Sequence, residues 1–487
     1  MTYYTSPAHD LQYFINTSPQ TNVRENQRED LLQVYYQSFA KTLKDLNHNT
    51  FPTFDDLLEE IRKREMFGFM TAVFVLPIVL MEEQSSEGSG IDGLVDPQVA
   101  QDMTRIMFSG KRYTEAMKCI LRRCDQLKLF DLFTIYRVVI SYRGENGKDD
   151  KAQCIVKHME NSGASKVLIG DNNVYKKEVE MLKNIMPRLS ELAGGTVFAP
   201  KFYYTVDLED AKIVAMEDLG TNHKMVDRKL LLDFDHCEVV LKKLGQIHGA
   251  SMVLAEENPS TMDLFTSGLI TGSVENPGLA QAALNGNFPM LCETVKTWPG
   301  FEEISEKLEK LKPRIWAMFY EYAQMKNEKY RVLNHGDFWI NNFLFKYDEK
   351  TGKPIHCIPI DLQFSYYTSP AHDLQYFLNS SPKLEVRENY REKLLRIYYE
   401  AFRETLENVK HKNIPTFDDL LEEMRKREIY GFFTMANVLP VVLMERQSDK
   451  GSGLDGLTNE ESAKDMIKIM FTGKRYTESC KRSLKCL

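Results

Sequence analysis

The chain repeats itself. From Tyr3 to Cys124 and from Tyr366 to Leu487 the sequence aligns at one constant offset without a gap, and YYTSPAHDLQYF stands unchanged in both places. PTFDDLLEE recurs at Pro52 and Pro415, VLP at Val75 and Val438, GSG at Gly88 and Gly451, and GKRYTE at Gly110 and Gly473. A unit of about 120 residues present twice is too long, and too few in number, for a stacked-repeat architecture, which needs short units in at least three copies. The pattern is that of a duplicated piece of one domain. The same residues must therefore fold alike in two places that differ in what surrounds them.

Within the repeat the periodicity is helical. Leu31, Leu32, Tyr35, Tyr36, Phe39 and Leu43 recur at three and four spacing and predict an amphipathic helix over 23–46, with its counterpart over 386–409. PTFDDLLEE reads as a helix start, with Thr as N-cap and acids in the first turn. The most apolar run, Met66–Met81, contains Pro77. It is shorter than the roughly 20 residues a bilayer demands, so a buried helix with a break is expected and no membrane span.

Between the copies the pattern changes. TIYRVVISY (134–142) and AQCIVKHM (152–159) are strand-like, and Asn146-Gly147 between them is a hairpin signal. A helix is predicted over 174–186, then a hairpin from FYYTVD and KIVAMEDLG, and from Arg228 onward mostly helices. That order predicts an α+β chain with a small sheet lobe and a large helical lobe. The expected domains are a mainly helical duplicated fragment over 1–131, a small lobe over 132–220 and a large lobe over 221–487. The net charge of −8 disfavours nucleic acid as a partner, because phosphates call for a basic surface. Eight scattered cysteines, no two in CxxC spacing, read as reduced thiols. With the polar opening MTYYTSPAHD they point to the cytoplasm.

The densest polar motif is VLNHGDFWINNFLF, holding His335-Gly336-Asp337 and Asn342, followed downstream by IPIDLQ with Asp361. An Asp, an Asn five residues later and a second Asp at a strand end form the layout of phosphoryl transfer. One carboxylate stands by the attacking hydroxyl, and two oxygen ligands hold Mg2+ on the nucleotide phosphates. Protein kinases use H-R-D-x-x-x-x-N and D-F-G for these tasks. Here Gly336 replaces the Arg, Leu-Gln follows Asp361, and no A-P-E segment follows, which points to small-molecule acceptors. Upstream, Lys157 on a strand suits a phosphate-contacting ammonium. Glu178 on the next helix suits its ion-pair partner, with Glu180 as the competing acid. The backbone of Met216-Glu217-Asp218-Leu219 suits an adenine-binding hinge through Glu217 and Leu219. His335 reads as a backbone brace, His248 as a packed histidine, and Trp339 as either core or acceptor pocket. His9 and His372 are given no chemistry.

Together HGDFWINN, IDLQ, YYTSPAHDLQYFLNSSP, MEDLG and LGQIHGAS resemble the insect ecdysteroid kinase-like family, a branch of the choline kinase and aminoglycoside phosphotransferase group. The resemblance covers about 132–487. It implies a two-lobed protein-kinase-like fold, ATP with Mg2+ as cofactors and a small hydroxyl-bearing acceptor, steroid-like or xenobiotic. It also implies Asp337 as catalytic base, Asn342 and Asp361 as metal ligands, and Asp373 as a structural acid. Residues 1–131 then look like the back end of a second kinase of the same kind, and the second copy stops within its last helix. One departure stands out. The place of the glycine-containing segment that should cover the phosphates holds CDQLKLFDLF (124–133), which has no glycine. A catalytically impaired, pseudokinase-like or fusion product is therefore the alternative, and a choline- or aminoglycoside-type kinase in the strict sense is a third reading. The first copy's apolar faces are expected to dock, to pair in a swapped dimer or to limit solubility.

Overall fold

The computed structural model describes residues 6–48, 50–80, single positions between 112 and 123, then 134–143, 149–160, 173–208, 211–268, 278–324, 326–444 and 470–486. The chain divides into two compact units. The first runs to Leu132, and the second takes up at Phe133.

The first unit is helical. Ala8–Thr17, Thr21–Asn26, Arg28–Asp45, Phe54–Arg62, Glu65–Phe74 and Leu76–Val79 follow one another. Thr53 caps Phe54–Arg62, as its sequence predicts, and the structure adds a reciprocal box with Asp56. Ala8, Ile15, Leu32, Leu57 and Ile61 form a small core. The apolar run breaks at Val75, and Pro77 falls in the first turn of the next short helix, where its missing N–H costs nothing. The single helix expected over 23–46 is instead two, interrupted at Gln27. The second copy breaks at the equivalent Tyr390. Gln and Tyr share no turn chemistry, but the two breaks share a neighbour. In each copy the next residue is an arginine that bonds the glutamine of the first helix, Arg28 to Gln12 at 2.8 Å and Arg391 to Gln375 at 3.0 Å.

The second unit opens with a four-stranded antiparallel sheet in the order β1–β2–β4–β3, where β1 is Thr134–Arg143, β2 Asp149–Glu160, β3 Phe202–Asp207 and β4 Ala211–Glu217. The Asn146-Gly147 turn and the 124–133 segment lie outside the described residues. Between β2 and β3 the helix Val174–Glu180 widens to a π-turn at Met181–Ile185 and resumes as Met186–Leu192. Pro187, which has no N–H to continue an ordinary ladder, lies at the start of the last piece. The predicted helix is therefore longer and less regular than its apolar spacing suggests.

The helical lobe is built on Phe234–Glu257, capped by Asp233, which packs against Arg391–Asn408. The two backbones come close because Gly245 and Gly249 face this contact. A Cβ on Gly245 would run into the Tyr398 carbonyl and the Phe402 N–H. Two short antiparallel pairs complete the platform: β5 (Val332–Asn334) with β8 (Tyr366–Thr368), and β6 (Phe343–Tyr347) with β7 (Pro354–Pro359). A continuous core of aromatic and aliphatic side chains, among them Phe338, Phe343, Phe377, Tyr398 and Phe402, lies beneath them. Among the described residues no helix is long and apolar enough to cross a membrane.

Candidate active site

Lys157 is 3% exposed, buried by its place on β2. Its Nζ lies 2.8 Å from Glu178 Oε2, 2.5 Å from Asp361 Oδ1 and 3.2 Å from Gln363 Oε1. Burial by itself would drive the proton off such an amine. Glu178 and Asp361 reverse that and hold its proton affinity above the ordinary lysine value. Of the two acids considered on the helix, Glu178 points inward to Lys157, while Glu180 bonds Asn184 at the exposed face. The structure thus brings β2, the following helix and the DLQ turn to one ammonium. Gln363 was not singled out in the sequence, although its departure from the Phe-Gly of protein kinases was the signal.

The loop after β5 is held from two sides. Gly336 has φ +82°, and a Cβ there would strike the Phe364 carbonyl. An arginine does not fit this position, which accounts for the HGD form of the motif. His335 donates from Nε2 to the Ile360 carbonyl at 2.9 Å and accepts the Asp337 N–H on Nδ1 at 3.3 Å. It acts as a brace. Asp373, fully buried, accepts the His335 N–H at 2.6 Å and the Gly336 N–H at 2.9 Å. His248 touches Asp373 at 3.4 Å and the Tyr398 hydroxyl at 2.9 Å, and so belongs to the packing. Ser381 Oγ accepts the Ile340 N–H at 3.0 Å.

Within this frame the Asp337 carboxylate meets two donors. Tyr376 donates its hydroxyl to Oδ1 at 2.7 Å, and Asn342 donates its amide to Oδ2 at 2.9 Å and to the Asp337 carbonyl at 2.8 Å. Burial lifts the proton affinity of Asp337 above the usual carboxylate range, against the lowering effect of Tyr376 and with a further rise from Asp361. A carboxylate so placed is suited to accept a proton. Asp361 has φ +68°, ψ +60°, a left-handed conformation uncommon for a residue with a side chain, and such strain gathers at functional sites.

Glu217 ends β4. Its N–H donates to the Lys201 carbonyl at 2.9 Å, and its carboxylate accepts the Lys201 N–H at 3.1 Å. The Leu219 carbonyl accepts from Asn222 and His223. Between them Asp218, which sequence reasoning passed over, pairs with Arg137 Nε of β1 at 2.6 Å and accepts the Gly220 N–H. Trp339 packs on the core of the helical lobe, and its indole N–H has no hydrogen-bond partner among the described residues.

The donor set suits a hard cation shared with a nucleotide. Asp361 offers carboxylate oxygens. The nitrogen of the Asn342 amide is engaged by Asp337, which turns its oxygen to other use. Among the described residues no group of three or more His, Cys, Asp or Glu could hold a metal alone. Magnesium bound by one or two protein oxygens and substrate phosphates needs no such group.

A small antiparallel sheet lobe carrying a lysine–glutamate pair, followed by a helical lobe with the Asp337, Asn342 and Asp361 loops, defines a two-lobed kinase-like fold. The ecdysteroid kinase-like family matches residues 1–48 and 133–411, more than half of the sequence, and the chain belongs to that family. No curated protein matches it. Among solved structures, an aminoglycoside 3'-phosphotransferase of type VIII is 15% identical over 61% of this chain and 93% of its own, with a TM-score of 0.29. A glucosamine kinase solved with glucosamine, ADP and inorganic phosphate is 13% identical over 73% of this chain and 84% of its own, also with a TM-score of 0.29.

Proposed function

We propose that the second unit is an ATP-dependent kinase that moves the γ-phosphoryl group to a hydroxyl of a small acceptor. The observation that carries this reading is the single ammonium of Lys157, buried and bonded to Glu178 and Asp361 at once, near a loop in which Asn342 binds Asp337. Lys157 contacts the phosphates, and Glu178 holds it in place. Asp337 takes the proton of the acceptor hydroxyl. Glu217 and Leu219 offer main-chain atoms to the adenine edge. Asn342 and Asp361 would hold magnesium, which when bound neutralises charge on the transferring phosphoryl group. Membership of the ecdysteroid kinase-like family supports a steroid-like or xenobiotic alcohol as the acceptor.

A second reading, a fold that binds without transferring, is favoured by the absence of glycine from CDQLKLFDLF at 124–133, where a phosphate cradle of backbone N–H groups belongs. Asp337→Asn separates the two. In the active reading it removes transfer by about a hundredfold or more while ATP affinity stays within a few-fold. Turnover that survives the substitution refutes Asp337 as the base.

A further inference from the structure

The helix Ala371–Ser380 gives the HGD loop more than support. Asp373 fixes the loop's backbone, and three residues on, Tyr376 reaches the side chain of Asp337 itself. Tyr376 is buried, with its ring beside that of Tyr430 at 6.1 Å between centroids. Its hydroxyl is therefore a fixed point. Asn342 alone would pin one oxygen of Asp337 and leave the carboxylate free to swing about it. The second bond, from Tyr376 to the other oxygen, Oδ1, removes that freedom.

Resting on the reading of Asp337 as the base, we propose that Tyr376 is a positioning residue that holds the Asp337 carboxylate in the plane in which it meets the acceptor hydroxyl. A carboxylate oxygen has two lone-pair directions. Each oxygen of Asp337 spends one, on Tyr376 or on Asn342, and keeps another for the acceptor. In the step itself the hydroxyl proton passes to Asp337, the acceptor oxygen bonds to the γ-phosphorus, and the bond from that phosphorus to the leaving oxygen of ADP breaks. A carboxylate out of plane meets the hydroxyl less often in the reactive geometry, which lowers the rate without touching the nucleotide.

The chain supplies its own control. Tyr13 stands in the same twelve-residue sequence, 45% exposed. Tyr376→Phe and Tyr13→Phe, each in the full chain, are compared with the parent by release of phosphate from Mg-ATP with water as acceptor, by KM for Mg-ATP and by melting temperature. Tyr376→Phe keeps the ring and is expected to lower kcat about tenfold, as befits one lost hydrogen bond to a charged group. KM and melting temperature stay close to the parent, and Tyr13→Phe changes nothing. An unchanged kcat in Tyr376→Phe overturns the proposal. So does a fall in kcat accompanied by matching changes in KM and melting temperature, which marks a purely structural tyrosine. A parent chain without turnover that Asp337→Asn leaves unaltered brings down the reading of the site, and the proposal with it.

Discussion

Tyr13 and Tyr376 lie in the same twelve residues and meet different fates. So do their neighbours. Asp373, Tyr376 and Phe377 are buried against the HGD loop and its core, while Asp10, Tyr13 and Phe14 are exposed, Phe14 by half its surface. The local structure is nevertheless the same. Gln12 bonds Asn16 and the Ile61 carbonyl just as Gln375 bonds Asn379 and the Met424 carbonyl. Arg28 and Arg391 close the same break, and Thr53 and Thr416 build the same capping box. The comparison separates two kinds of information. Helix starts, breaks and short-range bonds travel with the segment. Burial does not, because it depends on a partner that only the second copy has in sequence, placed directly after the Asp361 turn. Each large aromatic left half in water forgoes about 1 kcal/mol that its twin gains.

Asp373→Ala and Asp10→Ala should break the comparison most sharply. The first strips a buried acceptor from two backbone N–H groups, and a cost of about 3 kcal/mol or more is expected, together with loss of turnover. The second removes an exposed acid and should stay within about 0.5 kcal/mol. Thermal unfolding followed by circular dichroism, with each substitution in the full chain, gives both values. Equal costs would mean that the first copy also has a loop to hold.

Where the copies agree, the effects should agree. Thr53→Ala and Thr416→Ala each remove one N-cap, and each should cost about 1 kcal/mol. The second cap carries an acid-sensitive reinforcement. Lys329, then Thr416, holds Asp419 down to about 2. A carboxyl lowered on folding stabilises fully above its unfolded pKa of about 4 and loses that contribution as pH falls toward its folded value. The cost of Thr416→Ala should therefore hold from neutrality to about pH 4 and shrink below it, read from melting temperatures across that range. A cost that grows in acid would contradict the sign.

The same distinction governs what the sequence made legible. Strands β1 to β4, the threonine N-caps and the spacing from Asp337 to Asn342 are local patterns. Lys157, Glu178 and Asp361 are picked out by the order of residue types that phosphoryl transfer uses, and their side chains meet at one ammonium. Tyr376, Gln363 and Asp218 are not picked out in this way. Each acts through a contact across long sequence separation, Tyr376 to Asp337, Gln363 to Lys157 and Asp218 to Arg137. No periodicity encodes such a meeting. Tyr376 is hidden further by the repeat itself, since an identical tyrosine stands at 13 with no HGD motif before it. The helix break at Gln27 and Tyr390 is not legible either, because neither stretch holds a glycine or proline to announce it.

We propose that the second unit holds a nucleotide through Lys157 and Asp361 although the segment leading into β1, 124–133, has no glycine. The melting temperature of the full chain with and without Mg-ATP, alongside Asp361→Ala, tests it most directly, since a ligand bound only to the folded state must raise it. A rise that grows with nucleotide concentration in the parent and is absent from Asp361→Ala is the predicted result. No rise at millimolar Mg-ATP in a folded parent, or an equal rise in both, would contradict it.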